Sequence, residues 1–352
     1  MTLALDQSSA ALPFDMAQAH PRSRSDEAVF TIDKLSVSVP TPEGQLALVH
    51  DVSLSVSRGQ CHAIVGESGC GKTVTCLAAL GLMPRNATVS GSVRLGETQM
   101  LGRSRAELQA LRGRRIGMIF QDPQGALNPV RTIGRQLIEP LRQHMGMTRE
   151  QARVRACELL AMVGIGAPEE RMGAYPHQLS GGICQRIMIA MALATEPEVL
   201  IADEPTTALD ATVQLQVLDL LRSIQEQRDL AIVLITHDLG VVSEICDSVT
   251  VLYAGRSVET RPTADLFSNP RHPYTKALLD CLPSLDPAAP PPAAIVGEVP
   301  GPGRHPSGCA FHPRCSHATT VCAQRLPGRA AVGVDGMVAC HYPMDASGRV
   351  VQ

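Results

Sequence analysis

The residues with the clearest chemical potential lie between positions 66 and 73. They read Gly66-Glu67-Ser68-Gly69-Cys70-Gly71-Lys72-Thr73, which fits the pattern G-x-x-x-x-G-K-[ST]. Glycines let the backbone curl until its N–H groups converge on phosphate oxygens. In this pattern Lys72 reaches the β- and γ-phosphates of a nucleotide, and the Thr73 hydroxyl ligates Mg²⁺. The pattern therefore predicts a nucleoside triphosphate site that also holds magnesium.

The residues around this loop match the structural context that the pattern requires. An apolar run at 61–65 predicts a short buried strand, and residues 72–82 predict a helix. The N-terminus of that helix, which is the positive end of the helix dipole, would face the phosphate groups bound by the loop. A chance match to the pattern would have no reason to occur between a strand and a helix. The order strand, loop, helix is also how an α/β sheet begins.

Two adjacent carboxylates follow a second apolar run. Residues 199–202 predict a buried strand, and Asp203 and Glu204 come at its C-terminal end. Open α/β sheets bind their ligands at that edge. We expect Asp203 to hold Mg²⁺ directly or through water, and Glu204 to polarise an attacking water. The alternative is that the two acids only cap the next helix, but a phosphate-type loop in the same chain favours the catalytic interpretation.

A third motif opens the apolar helix predicted after residue 186. It reads Leu179-Ser180-Gly181-Gly182-Ile183-Cys184-Gln185. Ser180, Gly181 and Gly182 at a helix start offer a second phosphate cradle, although an ordinary loop with a helix cap would look the same on these residues alone. With the three motifs in this order, the chain resembles the ATP-binding subunits of ABC transporters. In that family this loop is the signature motif and faces the γ-phosphate bound by the other subunit, so the resemblance implies ATP as the nucleotide.

Further positions match the same family. Gln121 resembles the Q-loop glutamine that senses Mg²⁺ and the attacking water, 208–210 resembles the D-loop, and His237 resembles the switch histidine that bonds to the γ-phosphate. The resemblance thus implies the catalytic residues Lys72, Gln121, Glu204 and His237. It implies the magnesium ligands Thr73, Gln121 and Asp203. Val39 stands where the family usually has an aromatic residue that stacks on adenine, and an aliphatic side chain stacks more weakly.

The pattern of elements agrees with an α/β fold. Apolar alternation over 29–56, interrupted by a turn signal, predicts antiparallel strands. Residues 133–174 are helical in pattern, and Thr148 with Gln151 fits a capping box. Strand and helix then alternate up to residue 252. The resemblance implies an ABC-type P-loop NTPase with a RecA-like core, an antiparallel β subdomain, a helical subdomain and a small Cys-rich C-terminal extension.

The sequence also suggests a domain division. We expect a flexible tail over 1–27, an ABC ATPase domain over 28–262 with its helical subdomain at about 133–178, and a C-terminal extension over 263–352 whose Cys-rich segment spans 304–343. That extension contains 272–275 (His-Pro-Tyr-Thr), 295–301 and 308–315, and it resembles the extension of the oligopeptide/dipeptide subfamily of bacterial importers.

This second resemblance implies a function and a set of partners. The subfamily imports di- and oligopeptides, and some members take nickel chelates or other small solutes. The implied partners are a second, homologous ATPase subunit forming a heterodimer, two membrane permease subunits and a periplasmic or extracellular solute-binding protein. The implied location is the cytoplasmic face of the inner membrane. A soluble ABC ATPase unrelated to transport is the alternative, but those proteins usually carry a coiled-coil insert or tandem cassettes, and neither is seen.

The Cys-rich segment predicts a metal site. Its four cysteines, Cys309, Cys315, Cys322 and Cys340, have the spacing C-x5-C-x6-C-x17-C. Thiolates bind soft metals well. Homologues with this pattern hold an iron–sulfur cluster, so the resemblance implies [4Fe–4S] ligation. Zinc, with His312, His317 or His341 as substitute ligands, and unligated thiols are the alternatives. A metal here would be structural, because the segment is poor in apolar residues.

Composition and charge argue against nucleic-acid-binding, membrane-spanning and secreted proteins. The chain has 352 residues, 44% hydrophobic, with 31 Lys and Arg against 34 Asp and Glu, hence a net charge of −3. That balance gives no general reason to expect nucleic-acid binding. No apolar run approaches the ~18 residues of a membrane span, and the N-terminus lacks the pattern of a secretory signal. We therefore expect a chain of the cytosol, where its 11 cysteines would be thiols or metal ligands.

Overall fold

The computed structural model describes residues 27–206, 209–283, 294–333, 336–345 and 349–350. The tail predicted over 1–27 lies outside the described residues apart from its last residue, and so does Ala208 of the predicted D-loop. No helix in the described ranges combines the length and the apolar character needed to cross a lipid bilayer.

The described residues form an α/β arrangement of strands and helices. The strands are β1 (Ala28–Thr41), β2 (Gly44–Ser57), β3 (Cys61–Val65), β4 (Thr88–Leu95), β5 (Thr98–Gln99), β6 (Ile116–Ile119), β7 (Val199–Asp203), β8 (Ala231–Ile235), β9 (Ser248–Tyr253), β10 (Arg256–Pro262), β11 (Ala330–Val332) and β12 (Gly336–Val338). The helices are α1 (Lys72–Ala79), α2 (Arg105–Leu111), α3 (Pro123–Ala126), α4 (Ile133–Met145), α5 (Arg149–Met162), α6 (Pro168–Arg171), α7 (Gly181–Leu193), α8 (Ala211–Arg228), α9 (Leu239–Ile245), α10 (Thr263–Ser268), α11 (Pro273–Asp280) and α12 (Thr320–Gln324).

The larger sheet places the candidate site at one edge. Its strand order is β11-β12-β10-β9-β3-β8-β7-β6. The strands from β9 to β6 run parallel, whereas β10, β12 and β11 continue the sheet in antiparallel pairs. Because parallel strands end at the same edge, the residues that follow β3, β6, β7 and β8 lie at one edge of the sheet.

The smaller sheet is antiparallel and covers one face of the larger one. Its order is β2-β1-β4-β5. The alternation over 29–56 therefore predicted β1 and β2 correctly, whereas no sequence pattern predicted β4 and β5. These strands are short or mostly exposed, so their apolar alternation is weak.

Alternate residues of the central strands face two separate cores. In β3, Ala63 faces a core built with α4, α5, α7 and α8, whereas Ile64 faces a core built with α1 and the antiparallel sheet. In β7, Leu200 and Ile201 divide in the same way. Side chains of a strand point alternately to its two faces, and both faces are covered here. That double burial explains why these strands are continuous apolar runs in the sequence.

Two helical predictions need correction. The helix predicted over 72–82 is too long, because α1 ends at Ala79 and Gly81 follows with φ of +65°. A glycine in the left-handed region ends a helix even where apolar spacing continues. The helical stretch predicted over 133–174 is three helices, α4, α5 and α6, and Gly146 ends α4 with φ of +66°. The predicted capping box of Thr148 and Gln151 is confirmed at the start of α5.

Candidate active site

The loop after β3 forms a tight cradle. Gly66 has φ of +150°, and a Cβ at this position would lie 2.3 Å from the Leu252 carbonyl oxygen. Gly71 caps α1 with φ of +102°. Any side chain at Gly66 would push the loop away from β9, so the glycine is required by packing as well as by backbone conformation. Ser68 and Gly69 are exposed at the tip, and Cys70 is buried beneath the loop.

Lys72 directs its charge into this cradle. Its side chain is buried, and Nζ donates hydrogen bonds to the carbonyl oxygens of Gly66 at 2.7 Å and Glu67 at 3.1 Å. A cation held at the mouth of a loop and at the start of a helix is suited to a phosphate group. The geometry therefore agrees with the role predicted for this lysine.

Asp203 provides an oxygen suited to a magnesium ion. The residue is 2% exposed, and its Oδ1 has no hydrogen-bond partner among the described residues. The Thr73 hydroxyl bonds to the same carboxylate. Burial raises the pKa of Asp203 above its ordinary value, while the Thr73 hydrogen bond opposes that shift. A bound cation would satisfy the unpaired oxygen and favour the ionised form, so the residues present fit Mg²⁺.

Glu204 lies between Gln121 and His237, two of the other predicted catalytic residues. The Gln121 amide Nε2 donates to its Oε2 at 2.8 Å, and His237 Nδ1 lies 3.3 Å from its Oε1. The Glu204 side chain is 15% exposed and that of His237 is 63% exposed. Glu204 also has φ of +46°. A left-handed conformation in a residue other than glycine costs energy and is common at functional sites. Gln121 and His237, which follow β6 and β8, thus converge on the carboxylate of Glu204 at the end of β7.

The predicted signature loop is exposed at the start of α7. Ser180 caps this helix by accepting a hydrogen bond from the Ile183 N–H, and both Ser180 and Gly181 are exposed. Gln185 in the first turn donates to the Pro205 carbonyl at 2.6 Å. In the described part of the chain no hydrogen bond joins this loop to residues 66–73. The second phosphate cradle therefore faces solvent in the single chain.

Comparison with protein families decides the identity. Residues 49–207 match the ABC transporter family, and residues 258–322 match the oligopeptide/dipeptide transporter C-terminal region. The chain is 44% identical over 323 residues to the dipeptide transport ATP-binding protein DppD of Escherichia coli strain K12, covering 92% of this chain and 99% of that protein. The chain belongs to the family of ABC transporter ATP-binding subunits.

Further relatives support the fold and the activity of this ABC ATPase. The DppD protein of Bacillus subtilis strain 168 is 45% identical over 305 residues, covering 86% of this chain and 91% of that protein. The dimeric post-hydrolysis structure of the ATP-binding cassette MJ0796, bound to ADP and Pi, matches with a TM-score of 0.60 at 27% identity, covering 66% of this chain and 98% of that chain. The predicted ABC-type fold and ATPase activity are confirmed by these matches.

The C-terminal region of the ABC ATPase reaches the phosphate-binding loop. The Tyr274 hydroxyl accepts a hydrogen bond from the Glu67 N–H at 3.0 Å, and Arg314 forms an ion pair with the Glu67 carboxylate. No sequence motif predicts a role for Tyr274 or Arg314 at this loop. The residues around Tyr274 and Arg314 do not indicate these contacts, because each side chain bonds to a loop more than 200 positions earlier in the chain.

The four cysteines of the Cys-rich segment meet at one cavity. Cys309, Cys315, Cys322 and Cys340 line a space of about 20 Å³, together with the candidate ligands His312, His317 and His341. Burial raises the pKa of the Cys340 thiol to about 12, and the other three cysteines contribute to that shift. A cavity of this volume holds about one water-sized sphere.

This arrangement does not by itself define a metal centre. Within the described ranges, no group of three or more His, Cys, Asp or Glu side chains has the geometry of a bound metal ion. The prediction of an iron–sulfur cluster is therefore not supported by the side-chain geometry. The shared cavity does show that the four cysteines, which are spread over more than 30 positions, lie around a common point.

Proposed function

We propose that this ABC ATPase supplies the energy for import of di- and oligopeptides through a membrane permease. The observation that carries the proposal is the 44% identity to DppD over 99% of that protein, which includes the region matched by the oligopeptide/dipeptide C-terminal model. Residues 28–262 would form the ATPase domain and 263–352 the extension, as predicted from the sequence. Import of a nickel chelate or another small solute is the alternative, because the solute pocket would lie in other subunits.

In this proposal the loop of residues 66–73 binds the triphosphate. Backbone N–H groups of the loop and the start of α1 would surround the phosphates, and Lys72 would exchange its bonds with loop carbonyls for the β- and γ-phosphates. Thr73 and Asp203 would hold Mg²⁺, with Gln121 as a further ligand. When bound, the ion neutralises part of the charge that develops on the transferred phosphoryl group.

Glu204 would then align the attacking water. Its carboxylate is oriented from two sides, by the Gln121 amide and by His237. A carboxylate held in this way can accept a proton from water as the phosphorus–oxygen bond forms. His237, whose side chain is 63% exposed, has room to turn toward the γ-phosphate. Most of the catalytic effect would come from positioning and charge stabilisation.

A second ATPase subunit would complete each site. Ser180, Gly181 and Gly182 form a helix start that is exposed or half-buried and not bonded to the loop of its own chain. In a head-to-tail dimer this helix start would contact the γ-phosphate on the partner. We propose a heterodimer with a homologous subunit, bound to two permease subunits at the cytoplasmic face of the inner membrane and supplied by a solute-binding protein.

Purification from native membranes tests this assembly. A tagged chain, extracted in mild detergent, is expected to bring down two permease proteins and a second ATPase. Hydrolysis of ATP by that complex should rise when the solute-binding protein is loaded with a dipeptide and should not rise with a nickel chelate. Recovery of the tagged chain without membrane proteins would contradict the proposal, and stimulation by the nickel chelate alone would favour the alternative.

We further propose that the four cysteines hold a [4Fe–4S] cluster. The support is an all-cysteine donor set at one cavity and a spacing wider than that of common zinc sites. The Cys340 thiol, whose pKa is raised by burial, would be deprotonated by the positive charge of bound metal. The role would be structural, since this segment has few apolar residues with which to order itself.

Spectroscopy of anaerobically purified protein tests the cluster. We expect brown protein with absorbance at about 400 nm, and we expect Cys315→Ser to lose that absorbance. Cys157→Ser is the matched control, because Cys157 lies in α5 outside the cavity. Colourless wild-type protein that contains zinc, or contains no metal, would contradict the proposal.

A further inference from the structure

Glu67 is the residue of the phosphate-binding loop that contacts the C-terminal extension most closely. Its carboxylate forms two hydrogen bonds with the Arg314 guanidinium, to Oε2 at 2.7 Å and to Oε1 at 3.0 Å. Its backbone N–H donates to the Tyr274 hydroxyl at 3.0 Å. Two-point pairing between guanidinium and carboxylate fixes both distance and orientation. Glu67 is therefore held by its side chain and by its backbone at the same time.

Arg314 is itself held on several sides. Its side chain is 5% exposed, and Nε donates to the Val296 carbonyl at 3.0 Å. The guanidinium carbon lies 5.8 Å from the centre of the Tyr253 ring. Such a side chain has little freedom to lose when it binds a partner. The Glu67 carboxylate also raises the pKa of Arg314 above its ordinary value.

An aromatic cluster joins the elements that carry these contacts. Tyr253 ends β9, Tyr274 lies in α11, and Phe311 lies in the Cys-rich segment three positions before Arg314. Their ring centres are 4.6 to 5.2 Å apart. The whole chain has only 4 Tyr and 5 Phe, so a third of its aromatic residues pack at this junction. The Cys-rich segment is thereby packed firmly against the end of the central sheet.

Stability alone does not account for this ion pair. Paired charges that are removed from water often stabilise a fold no more than apolar residues of the same volume. Glu67 also places a negative charge in a loop shaped for a triphosphate, where it would repel the ligand. Arg314 cancels that charge and holds the Glu67 end of the loop in place. Both effects would act on nucleotide binding.

We propose that Arg314 is a positioning residue of the ATP site: it neutralises Glu67 and holds the phosphate-binding loop in its binding conformation. The Cys-rich extension is in this way part of the nucleotide site of its own chain. The inference depends on nucleotide binding at residues 66–73, and it does not depend on which solute is transported.

Titration of the full-length chain with a fluorescent ATP analogue and Mg²⁺ tests the inference. Arg314→Gln is expected to raise the Kd by about tenfold, as for loss of a charge-assisted pair, and Arg314→Lys by about threefold because it keeps the charge but not the two-point geometry. The double variant Glu67→Gln/Arg314→Gln should have a Kd at least about threefold lower than Arg314→Gln alone, because the second substitution removes the uncompensated charge. Arg325→Gln, an exposed arginine of the same extension, is the matched control.

A purely structural arginine would behave differently. It would lower the unfolding midpoint and the folded fraction, but it would leave the Kd of the folded protein unchanged, and Glu67→Gln would restore nothing. An unchanged Kd in folded Arg314→Gln, or no recovery of the Kd when Glu67→Gln is added, overturns the inference. Arg314→Lys keeps the charge and most of the volume, so it provides the Kd measurement even if Arg314→Gln does not fold. Wild-type binding is measured without permeases, so a negative result here leaves the proposed transport function unaffected.

Discussion

Glu204→Gln is expected to lower steady-state ATP hydrolysis by the assembled complex by about 10²–10⁴-fold, the usual effect of losing a general base. Glutamine has almost the same shape as glutamate and still offers an oxygen to the Gln121 amide, which now lies 2.8 Å from the carboxylate. It can no longer accept a proton from water. Nucleotide binding should be retained, because Glu204 is not part of the loop at residues 66–73, and the closed dimer should accumulate with ATP bound.

Phosphate release measured at saturating ATP, together with binding of a fluorescent ATP analogue, separates these two effects. The matched control is Glu244→Gln, the same chemical change at an exposed position of α9. The control should hydrolyse ATP at the wild-type rate. An unchanged rate in Glu204→Gln would show that another group activates the water.

Lys72→Ala is expected to weaken nucleotide binding by about 10- to 100-fold, since hydrogen bonds to charged groups contribute about 1.5–3 kcal/mol. Hydrolysis should fall further, because the same charge stabilises the phosphoryl group in the transition state. Nζ already lies in the cradle, 2.7 Å from the Gly66 carbonyl oxygen, so little rearrangement is needed for it to meet phosphate. The Kd for an ATP analogue is the measurement.

Lys276→Ala is the matched control for this substitution. Lys276 is an exposed lysine of α11 that pairs with Asp280 within its own helix. An exposed pair of this kind contributes little to stability, so both the Kd and the hydrolysis rate should match wild type. A Lys72→Ala protein that binds the analogue as tightly as wild type would rule out the assigned phosphate contact.

The sequence was sufficient to predict the part of the site that follows from parallel strand order. The motif residues come directly after the strands β3, β6, β7 and β8, and parallel strands deliver such residues to one edge. Glu204 was predicted at this edge from its strand, whereas the family resemblance assigned Gln121 and His237 to the same site; both are found in contact with Glu204. Strand β3 was also predicted with its observed bounds, because it is fully buried and mostly apolar.

The contacts that the C-terminal extension makes with the phosphate-binding loop could not be predicted from the sequence. Glu67 and Arg314 are 247 positions apart, and nothing in the residue types around either one indicates a partner. The same is true of β11 and β12, which extend the central sheet although each has only three residues. Pairing of this kind depends on tertiary packing, which overrides weak local preferences. The residue types predicted that the four cysteines would lie together. They gave no indication that the cavity between them would be so small.

Uptake of a labelled dipeptide by living cells tests the central claim most directly. The native strain lacking this gene would be supplied either with the wild-type gene or with the Glu204→Gln allele at equal protein level. ATP hydrolysis by this chain drives peptide import if the wild-type gene restores uptake and the Glu204→Gln allele does not. Equal uptake with and without the gene, or full restoration by Glu204→Gln, would contradict the account.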